Sequence, residues 1–143
     1  MCRFPIRFLK CKKMLLPNLY QVIEKKVIDA DAVSVTVAVN KNHRVFEGHF
    51  PNNPVMPGVC MLQIIKELSE EHLETSLFLQ KTSNVKFTAV MNPQIQSNLT
   101  VNLSFIREED SIKIKNTSTF PDGTVVLKCN AIFVETNRVH ENG

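Results

Sequence analysis

Val33, Val35, Val37 and Val39 alternate with Ser34, Thr36 and Ala38. This period of two among β-branched residues predicts a strand with one buried face and one wet face. The alternation returns in Leu99, Val101, Leu103 and Phe105 against Thr100, Asn102 and Ser104, and more briefly in Ile112 and Ile114 against Lys113 and Lys115. Pro121, Asp122 and Gly123 form a turn signal, because proline fixes φ and glycine accepts a positive one. The strand over 111–119 and the apolar run from Val125 to Val134 are therefore expected to pair as a hairpin. Asn84 to Met91 is expected to supply a further strand ending before Pro93. Leu15 to Tyr20, interrupted by Pro17, has room for at most one helical turn before the chain extends.

One segment reads as a long helix, with Pro57 at its first position, where the missing N–H has no partner to lose, and an end near Glu71. Val59, Cys60, Met61, Leu62, Ile64 and Ile65 point in nearly every direction around a 3.6-residue turn, which marks a helix enclosed by protein. Its polar residues form one stripe, since Gln63, Lys66, Glu67 and Glu70 follow the spacing of residues that share a face. A solvated face is the plain reading of that stripe. One buried helix with about five or six antiparallel strands predicts an α+β fold in which a curved sheet wraps the helix.

The 143 residues amount to one domain, long enough to bury about 68% of the unfolded surface. With 43% hydrophobic and 22% charged residues the chain is ordinary globular material, neither disordered nor coiled coil. The formal charge of +3 hides an asymmetry, because 5 of the 17 basic residues (Arg3, Arg7, Lys10, Lys12 and Lys13) lie in the first 13, leaving 12 bases against 14 acids thereafter. Residues 1–13 are read as a flexible basic extension or an overlong start, 14–137 as the domain, and 138–143 as a polar tail. A mildly acidic body without a basic stripe excludes nucleic acid as a partner. No apolar run reaches the roughly 18 to 20 residues of a membrane span, so neither membrane nor signal peptide is expected. Four cysteines (Cys2, Cys11, Cys60 and Cys129) without a C-x-x-C pair suit a reduced cytoplasm, where the glycosylation-type triplets at Asn98 and Asn116 are chance matches.

The chemistry concentrates in the stretch from Phe46 to Val59, where three prolines and two glycines surround His49. An irregular backbone there places a histidine just ahead of a buried helix whose first N–H groups have no intrahelical partner. That suits a carbonyl oxygen at the helix start with a base beside it, although a lone histidine in a proline-rich loop is more often structural. The residues alone leave both readings open.

The stretch from Gly48 to Gly58 resembles the G-H-F-P-x-x-P-V-M-P-G motif of the bacterial (3R)-hydroxyacyl-acyl-carrier-protein dehydratases of the FabA/FabZ type. The resemblance continues more weakly in Asn84-Val85-Lys86-Phe87, followed by Pro93, although Gln94 stands where the family has glycine. By element order it covers about Leu15 to Thr136. It implies a single hotdog fold and an acyl-thioester enzyme of fatty acid biosynthesis that needs no cofactor or metal. The substrate would be carried by acyl carrier protein or coenzyme A, and the enzyme would be a homodimer, or a higher assembly of dimers, with an acyl tunnel between protomers. His49 would remove the C2 proton, Gly58 would offer its N–H to the thioester carbonyl, and Val59 and Phe50 would line the pocket. The family's helix carboxylate falls at position 63, which is glutamine here. An amide can orient a hydroxyl or water but cannot act as a general acid.

Thioester hydrolysis and non-catalytic acyl binding are the competing readings, since neither needs the missing acid. Glu67, one turn along the stripe, is the alternative acid if it is not solvated. Glu47 reads as a strand-surface charge. His43, His72 and His140 read as surface histidines without metal-ligand spacing, and Cys60 as a small buried hydrophobe. Of Phe46, Phe50, Phe87 and Phe105, two are expected in the core.

Overall fold

The computed structural model describes residues 17–48 and 54–136. Strands β1 (Tyr20–Asp29) and β2 (Ala32–Val39) come first, and the helix α1 (Gly58–Leu73) precedes β3 (Leu77–Phe87). Strands β4 (Asn98–Arg107), β5 (Ile112–Thr119) and β6 (Val125–Glu135) follow. The six strands form one sheet in the order β1-β2-β4-β5-β6-β3, with every pair antiparallel. This is the α+β arrangement that the resemblance implies.

The four strands with alternating patterns are the four inner ones. Val33, Val35, Val37 and Val39 of β2, Leu99, Val101, Leu103 and Phe105 of β4, and Cys129, Ala131 and Phe133 of β6 are all buried. They share the core with Cys60, Met61, Ile64, Ile65 and Leu68 of α1. Burying each large aliphatic side chain contributes about 1.5 to 3 kcal/mol, so the alternation itself sets the strand faces. On β5 the buried face continues past Ile112 and Ile114 as Asn116 and Ser118. Asn116 donates to the Ser118 hydroxyl at 3.1 Å and to the Asn102 carbonyl at 3.2 Å.

Several expectations are corrected. The strand expected over Asn84 to Met91 begins at Leu77 and stops at Phe87. It is a sheet edge, exposed at every residue after Leu77, so no apolar alternation marks it. Its register slips between Ser83 and Lys86, where Asn84 adopts a φ of 54°. Pro57 caps the helix from outside in extended conformation rather than occupying its first turn. The polar stripe is not solvated either, since Glu67 is 6% exposed and Glu70 2%. The C-terminal half of this face lies against protein, while Gln63 and Lys66 stay partly exposed.

The second edge, β1, carries no clean alternation and is exposed beyond Tyr20. Between the elements, a 3-10 turn, Arg44–Phe46, is capped by His43, whose Nδ1 accepts from the Val45 N–H at 3.0 Å. His43 Nε2 then donates to the Pro17 carbonyl at 3.1 Å. Glu47 ends this turn rather than lying on a strand. His72 stacks on Phe105 with ring centroids 5.3 Å apart and reaches the Ala30 carbonyl at 3.1 Å. His140 lies outside the described residues.

Candidate active site

The motif is held at both of its described ends. On the near side Phe46 is buried. On the far side Pro54 and Met56 are buried, and the Met56 N–H donates to the Met91 carbonyl at 2.9 Å. His49 and Phe50 themselves lie outside the described residues. Beyond Pro57 the helix begins at Gly58, with no side-chain cap on its first turn. Backbone N–H groups at such a start carry partial positive charge and suit a developing oxyanion.

At Gly58 the constraint is a close contact rather than a dihedral angle, and a larger residue would make the Phe87 ring swing aside. A Cβ on it would stand 2.8 Å from Cζ of Phe87, closer than carbon atoms approach. The Phe87 ring, 48% exposed, thus lies over the helix start from the end of β3. Of Phe46, Phe87 and Phe105, Phe46 and Phe105 lie in the core. The turn after Phe87 dispenses with the family glycine, since Asn92 Oδ1 and its carbonyl accept from Gln94, Ile95 and Gln96 and Gln94 is not among the residues of positive φ.

Further along the helix, Val59, Leu62, Gln63, Ile65 and Lys66 form one wall of an open cleft of about 210 Å³, closed opposite by Leu79, Ala131 and Phe133. Val59, 74% exposed, stands at the same end of the helix as Gly58. The cleft is mainly apolar, with Gln63 and Lys66 as its polar members.

Behind Gln63 lies a network that the sequence conceals. Gln63 Nε2 donates to Glu67 Oε2 at 2.9 Å, and the Tyr20 hydroxyl donates to Glu67 Oε1 at 2.7 Å. Burial first, and then the adjacent Glu67 carboxylate, hold the Tyr20 hydroxyl protonated far above the ordinary phenol range. Tyr20 comes from β1, 47 positions away in the chain, so helical spacing reveals only half of this contact. Glu70 belongs to a different junction. Its Oε2 accepts from the Leu77 N–H at 2.8 Å and from Lys66 Nζ at 3.1 Å. Cys60 is buried, and burial pushes its thiol up, as a small hydrophobe rather than a nucleophile requires. No metal-holding group of acidic, histidine and cysteine side chains occurs among the described residues.

Residues 21–124 match the ApeI-like family, described as ApeI dehydratase. The 3-hydroxyacyl-acyl-carrier-protein dehydratase FabZ of Legionella pneumophila is 35% identical over 104 residues, which span 63% of this chain and 69% of that protein. The corresponding FabZ of Lactiplantibacillus plantarum is 30% identical over 90 residues, 55% of this chain and 61% of that one. Among solved structures, the dehydratase heterocomplex ApeI:P from Xenorhabdus doucetiae superposes with a TM-score of 0.66 at 14% identity, covering 80% of this chain and 96% of that chain. A hypothetical thioesterase with coenzyme A from Streptococcus pneumoniae superposes at 0.64 and 11% identity, covering 91% and 95%. At these identities the two structures speak for the fold.

Proposed function

The chain belongs to the ApeI-like dehydratase family, with the hotdog fold of FabZ-like dehydratases, and from that premise we propose that it dehydrates a (3R)-3-hydroxyacyl thioester to the trans-2-enoyl thioester. The observation that carries this reading is the mainly apolar cleft beside the uncapped helix start, with Gln63 in its wall and Gly58 following the His49 motif. The Gly58 N–H holds the thioester carbonyl, the acyl chain runs past Val59 along the cleft, and Phe50 completes the entrance. His49 takes the C2 proton, the electrons of that bond form the double bond, and the C3–O bond breaks. The departing hydroxyl, held by Gln63, takes the proton back from the His49 imidazolium and leaves as water.

A positioned acid is worth roughly 10²- to 10⁴-fold in rate, so this site is slower than one with a carboxylate at position 63. His49→Ala should lower turnover at least about 10²-fold. Gln63→Glu should raise it about 10-fold or more, because it returns a proton donor at a nearly isosteric side chain. Steady-state assays on a (3R)-3-hydroxyacyl-coenzyme A measure both, and wild-type turnover by His49→Ala would remove the histidine from the reaction. Gln63 also favours a second reading, hydrolysis of a plain acyl thioester with water on the amide. Thiol release from a saturated acyl thioester separates the two.

The substrate is carried by acyl carrier protein or coenzyme A, in the cytoplasm, for fatty acid biosynthesis. In support, Cys60 and Cys129 are free thiols, and no helix of the described residues is long and apolar enough to cross a membrane. The working unit is a homodimer or an assembly of dimers. Phe78, Leu79, Val85 and Phe87 stand exposed on the open edge β3, and Leu79 also lines the cleft, so a second copy on this edge roofs the site.

A further inference from the structure

We infer that Glu67 is a positioning residue that fixes the hydrogen-bonding polarity of Gln63, so that the cleft receives an acceptor oxygen and selects an acyl chain carrying a hydroxyl. The inference rests on the dehydratase reading and adds its specificity device. A glutamine amide has a donor end and an acceptor end of nearly equal shape, and only its partners decide which faces a ligand. Here the partner is a carboxylate, which accepts and does not donate when ionised. Glu67 takes the amide N–H of Gln63 on one oxygen and the Tyr20 hydroxyl on the other. Gln63 Oε1 is thereby turned away from Glu67, while the side chain itself borders the cleft. Glu67 is buried and is not part of the cleft wall, so its effect on a ligand passes through Gln63.

The group that matches an acceptor in an apolar cleft is an O–H donor, which a 3-hydroxyacyl chain carries and a 3-oxoacyl chain, able only to accept, lacks. Glu67→Gln reverses the pattern. The introduced amide still accepts from Tyr20 and turns its own N–H toward Gln63, whose amide must flip and present N–H to the cleft. Tyr20→Phe disturbs the same buried network but leaves the carboxylate facing Gln63, so it serves as the control.

The experiment titrates a (3R)-3-hydroxyacyl-coenzyme A and the 3-oxoacyl-coenzyme A of equal length, whose carbonyl accepts but cannot donate, into the full chain, in a His49→Ala background that suppresses turnover. The expected preference for the hydroxyacyl ligand is about 10-fold, the worth of one well-placed hydrogen bond in a desolvated site. It should be retained in Tyr20→Phe and fall to about 1-fold in Glu67→Gln. A merely structural role for Glu67 would weaken both ligands equally, and that result overturns the inference. Should Glu67→Gln not fold, Gln63→Leu decides, since a persisting preference without the amide also overturns it. Turnover by the wild type with an unmoved preference sinks this inference alone. Absence of both turnover and preference sinks the dehydratase reading with it, whereas a preference that collapses in Glu67→Gln without wild-type turnover upholds the polarity device and removes only the reaction.

Discussion

Tyr20 is the chain's single tyrosine, in a chain without tryptophan, so the phenolate absorbance of the whole protein reports on one hydrogen bond. Its folded pKa is raised by burial and then by Glu67, whereas the unfolded chain ionises near the ordinary value of about 10. Below that pH both states hold the proton and the contribution to stability is complete. Above it the unfolded state loses the proton and the native state keeps it, so stability falls by up to about 1.4 kcal/mol per pH unit. Phenolate absorbance should therefore appear together with unfolding, not before it. Denaturant titrations should show wild type more stable than Tyr20→Phe below about pH 10 and the gap closing above it, and a native phenolate signal with an ordinary midpoint would contradict the contact. Residues of this kind mark where sequence reading ends. The candidates Gly58 and Gln63 could be picked out from the motif, but Glu67 reads as one more charge on a polar stripe until Tyr20 is brought over it from another strand.

Among elements, the inner strands β2, β4 and β5 could be read because one face of each is buried and the other is not, which imposes the period of two, and β6 from its apolar run after the Pro121–Gly123 turn. The edges β1 and β3 could not, since a strand exposed on both faces is under no such constraint. The helix was legible in its apolar residues but not in its surroundings, and its end at Leu73 depends on a left-handed Glu74 that no glycine announces. What locks this end is Glu70, whose carboxylate ties the helix to the first N–H of β3 and to Lys66. Glu70→Ala strands a buried donor and should destabilise the protein by about 2 to 4 kcal/mol. Glu70→Gln, which can still accept from Leu77, should lose about half as much. Chemical denaturation of the two variants checks the ordering, and equal losses would assign the effect to the ion pair alone.

At the scale of the molecule, the proposed dimer is supported by an edge strand that leaves Phe78, Leu79, Val85 and Phe87 in solvent beside unpaired backbone groups. Light scattering at micromolar concentration should give a mass of about twice 16.3 kDa, and Leu79→Lys should shift it toward the monomer by placing a charge in the join. A wild-type monomer under those conditions would leave the cleft open and the tunnel unbuilt. The strand order has a different kind of consequence. β1 with β2 and β4 with β5 and β6 are neighbours in sequence as well as in space, but β2 ends at Val39 and β4 begins at Asn98. The two pieces meet only after everything between, the helix included, has been drawn round. Closing a loop of that size adds to its entropy only logarithmically, so the arrangement bears on how fast the chain folds more than on how stable it becomes. The central helix is thus also the spool around which two local pieces find each other, and the valines of β2 that bury it join the sheet into one.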